Sequence, residues 1–416
     1  MLKLLRRMRR REVFTALLCA LSFAPRACAE PAEPELASEA AILMDASTGQ
    51  ILYAKNAWER LYPASITKVL TGLLALENLK STDTLTVSQT AVSQVPRTSS
   101  HISLQPGETL TVADAMYALA ISSANDAAVT LAEGVSGSVE AFSTLMNEKA
   151  RECGALNSNF VNPSGLPSQQ HYTTAYDMAK IAAKALENPD FLLYFGSGAY
   201  EMPATNLSQA RSLISKNQMT DGTRSCPGLL FSKTGWTTSA QGTLVTAARQ
   251  SGVTLIAVTL KSPMLEDKYQ DTQALLEYGF ANYRTFRVEE DFVLTQLEAQ
   301  GLDRAAELTD FEPFTILIPQ DTQEVRVIVP GGVDPDSGVT TLPISVAALR
   351  EDGSETIIRD DLLPLIYAEE ASAQAFAPVQ SDAAVSAGIH FQPWSLVFGA
   401  LLLGAVEWIL RKRRQN

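Results

Sequence analysis

Between Ala40 and Tyr278 the apolar pattern changes period twice, and this constrains the fold more than any other feature of the chain. Two short strand-like runs, Ala41–Met44 and Gln50–Tyr53, flank Asp45-Ala46-Ser47-Thr48-Gly49, which reads as a hairpin turn. Helix-like runs follow at Ser65–Leu79, Val112–Leu131, Val139–Cys153 and Thr174–Leu186. Strand-like runs return at Gly242–Ala248 and Thr254–Leu260, and a last helix is expected over Lys268–Tyr278. Strands, then helices, then strands again predict one mixed α/β layer structure, a sheet with helices packed against it.

The 416-residue chain has room for more than this block. Residues 286–368 read as a small β-rich domain, with short β-prone runs at Phe314–Ile318, Glu324–Val329, Leu342–Leu349 and Thr356–Ile358. Residues 369–391 are rich in Ala and Ser, without a sustained apolar period, and read as a stalk.

The two ends set the expected compartment. Residues 1–29 have the form of a secretory signal: a basic start, an apolar run Val13–Phe23, and Ala27-Cys28-Ala29 before Glu30. That run is short for a membrane span. At the other end, residues 392–411 contain the run Trp394–Leu410, whose only charge is Glu407, with Trp394 and Trp408 near the edges and a basic tail over 412–416. Counted from Ile389 to Leu410 the segment gives about 33 Å of helix, enough to cross a bilayer. A C-terminal transmembrane anchor is therefore expected, with a surface-lying helix as the alternative and the body on the extracytoplasmic face. The net charge is −13 although both ends are basic, so the body is strongly acidic and nucleic-acid binding is not expected. Three histidines and four cysteines, widely scattered, predict neither a metal site nor a cofactor. His101 and His171 read as structural, and Cys153 and Cys226 as either a disulfide or two buried thiols.

Three short segments can carry chemistry. In Pro63-Ala64-Ser65-Ile66-Thr67-Lys68 a serine and a lysine share one helical face, so the amine can reach the hydroxyl. Serine is a weak nucleophile until a base takes its proton, and lysine serves only if burial or a neighbouring cation lowers its pKa. In Ile121–Ala127, a polar break between helical runs, Ser123 and Asn125 offer a hydroxyl and an amide. In Lys233-Thr234-Gly235-Trp236-Thr237 a cation and a hydroxyl meet a glycine that lets a substrate backbone approach. Each alone is a helix cap or a turn as readily as a site.

Taken in order, they resemble the S-x-x-K, S-x-N and K-T-G set of penicillin-recognising serine enzymes. With Asn162-Pro163-Ser164-Gly165-Leu166 and Thr174–Ala179, residues 36–285 resemble the D-alanyl-D-alanine carboxypeptidases, the low-molecular-mass penicillin-binding proteins. The resemblance implies a beta-lactamase/transpeptidase-like catalytic domain over 30–285. It implies a peptidase that trims the terminal D-alanine from peptidoglycan stem peptides through an acyl-enzyme and is acylated by beta-lactams. Ser65 would be the nucleophile and Lys68 its base. Ser123 and Asn125 would shuttle protons and hold the substrate amide. Lys233 would add positive potential, Thr234 would bind the terminal carboxylate, and the N–H groups of Ser65 and Trp236 would form the oxyanion hole beside Gly235. Ser164 stands where many relatives have His, and no role is assigned to it. Lys268 is the nearest match to an arginine that often helps to bind the carboxylate, but it lacks the bidentate fork. The rivals are a beta-lactamase, for which no E-x-x-L-N signature appears between Leu156 and Lys233, and a catalytically silent wall-binding protein.

Overall fold

The computed structural model describes residues 33–300, 307–308, 311–329 and 341–366. The expected signal, stalk, anchor and basic tail (1–29, 369–391, 392–411 and 412–416) lie outside these. Among the described residues no helix is long and apolar enough to cross a membrane.

The first unit is built on a five-stranded antiparallel sheet: β1 (Ala40–Asp45), β2 (Ile51–Lys55), β3 (Leu229–Thr237), β4 (Gln241–Gln250) and β5 (Val253–Ser262), in the order β2-β1-β5-β4-β3. The hairpin expected around residues 45–49 joins β1 to β2. In β5, Ile256, Val258 and Leu260 enter one core, while Leu255 and Ala257 enter another on the opposite face. The alternation follows from the two-residue period of a strand, and both faces are covered, which is why this run reads as continuously apolar. The helix Ala175–Leu186 packs against β5 on the larger core's side and the helix Asp267–Asn282 on the other.

The larger core encloses a helix, Lys68–Asn78, whose first eight residues are all buried. Around it pack Val112–Ile121, Asn125–Ser136 and Val139–Glu152. The run expected over Val112–Leu131 is thus two helices with a break at residues 122–124. Cys153 and Cys226 are both free thiols, each pushed up to about 11 by burial.

A second unit opens with the strand Tyr283–Val288, which starts ahead of the expected boundary and pairs with Phe314–Pro319. A further sheet contains Thr322–Ile328, Thr341–Arg350 and Glu355–Ile366. Four of these strands fall on the β-prone runs that were read, though the last extends well past its run; the strand Tyr283–Val288 and a helix, Glu290–Ala299, were not expected. Val293 and Leu297, one turn apart, bury that helix against Val325 and Val327. The two units are joined through Gln50: its Nε2 donates to Leu317 O at 2.7 Å and its Oε1 accepts from Leu317 N at 3.1 Å. The Leu317 side chain lies in the apolar cluster with Leu36, Leu43 and Leu52 of the first unit.

Candidate active site

Ser65 lies in a single turn of 3-10 helix, Ala64–Thr67, that leads into the buried helix Lys68–Asn78. Edge strand β3 runs past this turn so closely that a Cβ on Gly235 would sit 2.8 Å from Ser65 N and 2.4 Å from Thr243 Oγ1. Thr243 in turn donates to Pro63 O at 2.8 Å, holding the turn to β4. The glycine of the K-T-G segment is therefore required by the scaffold itself as well as by any substrate.

Lys68 is fully buried, and its Nζ has three oxygen neighbours: Ser65 Oγ at 2.9 Å, Asn125 Oδ1 at 2.7 Å and Ser164 O at 2.6 Å. Burial lowers its pKa well below the ordinary lysine value, and the charge of Lys233 lowers it further against a weaker opposing pull from Asp126. The amide and peptide oxygens can only accept. A neutral amine therefore gives both N–H groups to Asn125 and Ser164, and its lone pair faces the Ser65 hydroxyl. This is the arrangement a general base requires.

Ser123 sits at the break between the two helices with φ +53, a backbone conformation that costs a non-glycine residue about 1–3 kcal/mol. Its Oγ accepts from Lys233 Nζ at 2.9 Å, and the same ammonium donates to Thr234 O at 3.0 Å. Burial and the charge of Lys268 push Lys233 down to about 7. Lys268, on the helix Asp267–Asn282, reaches back to Thr234: its Nζ donates to Thr234 Oγ1 and lies 3.5 Å from Gly235 O. Burial lowers this lysine to about 8. All nine residues named from the sequence therefore gather in one place. Ser65, Ser123, Asn125, Lys233, Thr234, Gly235, Trp236 and Lys268 line a cleft of about 1260 Å³, and Lys68 lies directly beneath Ser65.

The Ser164 carbonyl was missed by reading side chains. Asn162 Oδ1 accepts from Ser164 N at 3.1 Å and Gly165 N at 2.8 Å, and this turn aims the carbonyl at Lys68. A backbone group leaves no mark on residue identity at 164, although the Asn and Gly around it were quoted. Among the residues lining the cleft there are cations but no carboxylate.

A family model described as D-alanyl-D-alanine carboxypeptidase matches residues 27–264. D-alanyl-D-alanine carboxypeptidase DacF of Bacillus subtilis is 37% identical over 321 residues, covering 74% of this chain and 80% of the relative. The chain belongs to the D-alanyl-D-alanine carboxypeptidase family. DacC of Escherichia coli, another D-alanyl-D-alanine carboxypeptidase, is 32% identical over 68% of this chain and 70% of its own length. Among solved structures, penicillin binding protein 5 from Haemophilus influenzae superposes with a TM-score of 0.67 at 26% identity, covering 81% of this chain and 98% of that one. A mutant of the Streptomyces K15 DD-transpeptidase gives 0.56 at 28% identity, covering 60% of this carboxypeptidase-family chain and 99% of that chain. The first unit thus has the mixed α/β fold of penicillin-binding proteins, and the chain is a serine-type D-alanyl-D-alanine carboxypeptidase.

Proposed function

We propose that Ser65, Lys68, Ser123, Asn125, Lys233, Thr234, Gly235, Trp236 and Lys268 form the working site of this carboxypeptidase. The supporting observation is the environment of Lys68, whose Nζ lies 2.9 Å from Ser65 Oγ and beside two oxygens that can only accept, so that a neutral amine there turns its lone pair to Ser65. The substrate's terminal carboxylate enters a cleft whose charged lining is cationic, and Thr234 with Lys268 receives it. With Oδ1 held by Lys68, Asn125 has its Nδ2 to offer to the substrate amide. Ser65 Oγ attacks the carbonyl between the last two D-alanines as Lys68 takes its proton, and the oxyanion forms between the N–H groups of Ser65 and Trp236. Collapse expels D-alanine, whose amine takes a proton through Ser123, and water then frees the shortened stem peptide from the acyl-enzyme. Beta-lactams acylate the same serine. A glutamate that activates deacylating water, as in the rival beta-lactamase reading, has no counterpart among the residues lining the cleft.

The test is intact mass of the protein mixed with a penicillin, followed in time beside Ser65→Ala. A lasting adduct in the wild type alone, together with release of D-alanine from a D-Ala-D-Ala peptide, supports the assignment. Rapid drug hydrolysis without an adduct would favour the beta-lactamase, and inertness of a folded sample would favour a silent wall-binding protein.

We also infer an extracytoplasmic location, with residues 1–29 removed as a signal and residues 392–411 as a transmembrane anchor. The segment lengths, the aromatic edges and the trailing basic cluster support it. Membrane fractionation of the full chain beside a version ending at residue 368 tests the anchor, since release of both or neither would be incompatible with it. On this reading the second unit and stalk set the height of the cleft above the membrane. Deleting residues 369–389 should then impair trimming of intact wall and spare a soluble peptide, whereas equal loss on both would exclude a spacer role.

A further inference from the structure

Behind the nucleophile runs a buried chain of hydrogen bonds that none of the steps above uses. Val161 N donates to His171 Nδ1 at 3.2 Å, His171 Nε2 lies 2.9 Å from Thr67 Oγ1, and Thr67 Oγ1 donates to Ala64 O at 2.8 Å. The directions follow from the groups themselves. A backbone N–H can only donate, so Nδ1 accepts and the ring proton sits on Nε2. A carbonyl can only accept, so the threonine hydroxyl gives its proton to Ala64 O and receives the one from Nε2. The imidazole is 1% exposed, and burial, the main cause, lowers its pKa to about 4, which keeps it neutral.

The end of this chain is a strained peptide. Ala64 has φ +51, and Gly165 approaches its carbonyl so closely that a Cβ there would lie 1.8 Å from Ala64 O. Ala64 O and Ser65 N–H belong to one planar peptide group and point in opposite directions. Whatever aims the carbonyl therefore aims the N–H, and a hydrogen bond accepted by the carbonyl also makes the N–H a stronger donor.

We propose that Thr67 and His171 are positioning residues that orient the Ser65 N–H of the oxyanion hole by holding the carbonyl of the same peptide. The inference rests on the reading of Ser65 as the nucleophile. Because an oxyanion-hole donor acts mainly on charge that develops in the transition state, the relay supports acylation rather than substrate binding.

The test uses the full chain with Thr67→Val, Thr67→Ser, His171→Phe and the Thr67→Val/His171→Phe double variant. Two main readouts, the second-order rate of acylation by benzylpenicillin and the infrared carbonyl stretch of the resulting acyl-enzyme, are taken beside KM for a D-Ala-D-Ala peptide. Removing an oxyanion donor outright costs roughly 10²–10³ in rate, so a misaimed one in Thr67→Val should cost about 10–100-fold. Its KM for a D-Ala-D-Ala peptide should stay near the wild-type value, and its ester carbonyl should move to higher frequency. Thr67→Ser, which keeps the hydroxyl, should stay near wild type in both readouts. His171→Phe should show a smaller loss, and the double variant should be no slower than Thr67→Val alone. Wild-type rate and wild-type frequency in both Thr67→Val and His171→Phe would overturn the relay, even if the melting temperature fell. A wild-type chain that benzylpenicillin does not acylate would overturn the reading of Ser65 itself, and the relay with it.

Discussion

Lys233 Nζ donates to Ser123 Oγ at 2.9 Å, so an ammonium on the edge strand is tied to the strained residue between two helices. Ser123→Ala removes an acceptor from a buried cation. The charged form of Lys233 then loses support, and its pKa should fall below its present value of about 7. The expected outcome is an acylation rate lower by about 10²–10⁴, the range for losing a proton-transfer group. The alkaline limb of the rate should also begin at lower pH than in the wild type. A pH series of kcat/KM on a D-Ala-D-Ala peptide checks both, and an unmoved alkaline limb would separate Ser123 from Lys233.

In the roles proposed, Lys268 as the carboxylate's partner gives a pH dependence of a different sign from that of Lys68 as the base. Lys68 works when neutral, so activity is lost as pH falls through its lowered pKa. Lys268 works when charged and is held at about 8 by burial, so binding weakens as pH rises through that value. KM should therefore climb on the alkaline side. In Lys268→Arg, whose guanidinium stays charged, the climb should move to higher pH. If KM is flat across this range in the wild type, the terminal carboxylate does not depend on Lys268.

The grouping of the candidate site was legible from the sequence where it depends on side chains. Ser65, Lys68, Asn125 and Lys233 were named because their three segments, in order, resemble the S-x-x-K, S-x-N and K-T-G set, and the structure brings them together at one cleft. The Ser164 carbonyl and the Thr67–His171 relay were not, since one is backbone and the other joins segments far apart in the chain. The fold shows the same division. Strand β5 was read over Thr254–Leu260, but its burial on both faces was not. The last strand was read only over Thr356–Ile358, whereas it extends over Glu355–Ile366 through Asp360, Asp361 and Pro364. Pairing with Thr341–Arg350 along its length outweighs those poor strand formers. The helix Glu290–Ala299 was missed because its two buried residues, Val293 and Leu297, give too little apolar pattern to establish a period.

Gly235→Ala tests how tightly the edge strand is fitted to the nucleophile's turn. The added Cβ would meet Ser65 N at 2.8 Å and Thr243 Oγ1 at 2.4 Å, and the backbone atom cannot swing aside as a side chain could. Either β3 or the Ala64–Thr67 turn must shift, and a shift of a few tenths of an ångström disturbs the Ser65 and Trp236 donors together. Acylation by penicillin should fall by roughly 10²-fold or more, the scale of losing one such donor. Stability should fall by about 1–3 kcal/mol, as for other overpacked sites. Retention of full acylation would show that the strand has room that the geometry denies it.

Gln50 offers the sharpest probe of how the two units are held together. Its amide makes two hydrogen bonds to the backbone of one residue, Leu317, at 2.7 and 3.1 Å, beside the apolar contacts of the Leu317 side chain. Gln50→Ala leaves both the N–H and the C=O of Leu317 without these partners at a part-buried junction, which should cost about 1–3 kcal/mol. Gln50→Glu keeps the acceptor but replaces the donor by a second carboxylate oxygen facing Leu317 O, so it should be at least as damaging as the alanine. Neither change touches the cleft, so kcat/KM on a soluble peptide should be unchanged while the melting temperature falls. A melting temperature unaffected by both variants would mean that the Gln50 contact adds nothing to the docking of the second unit. In that case the apolar cluster around Leu317 holds the units together, and Leu317→Ala should be the variant that separates them.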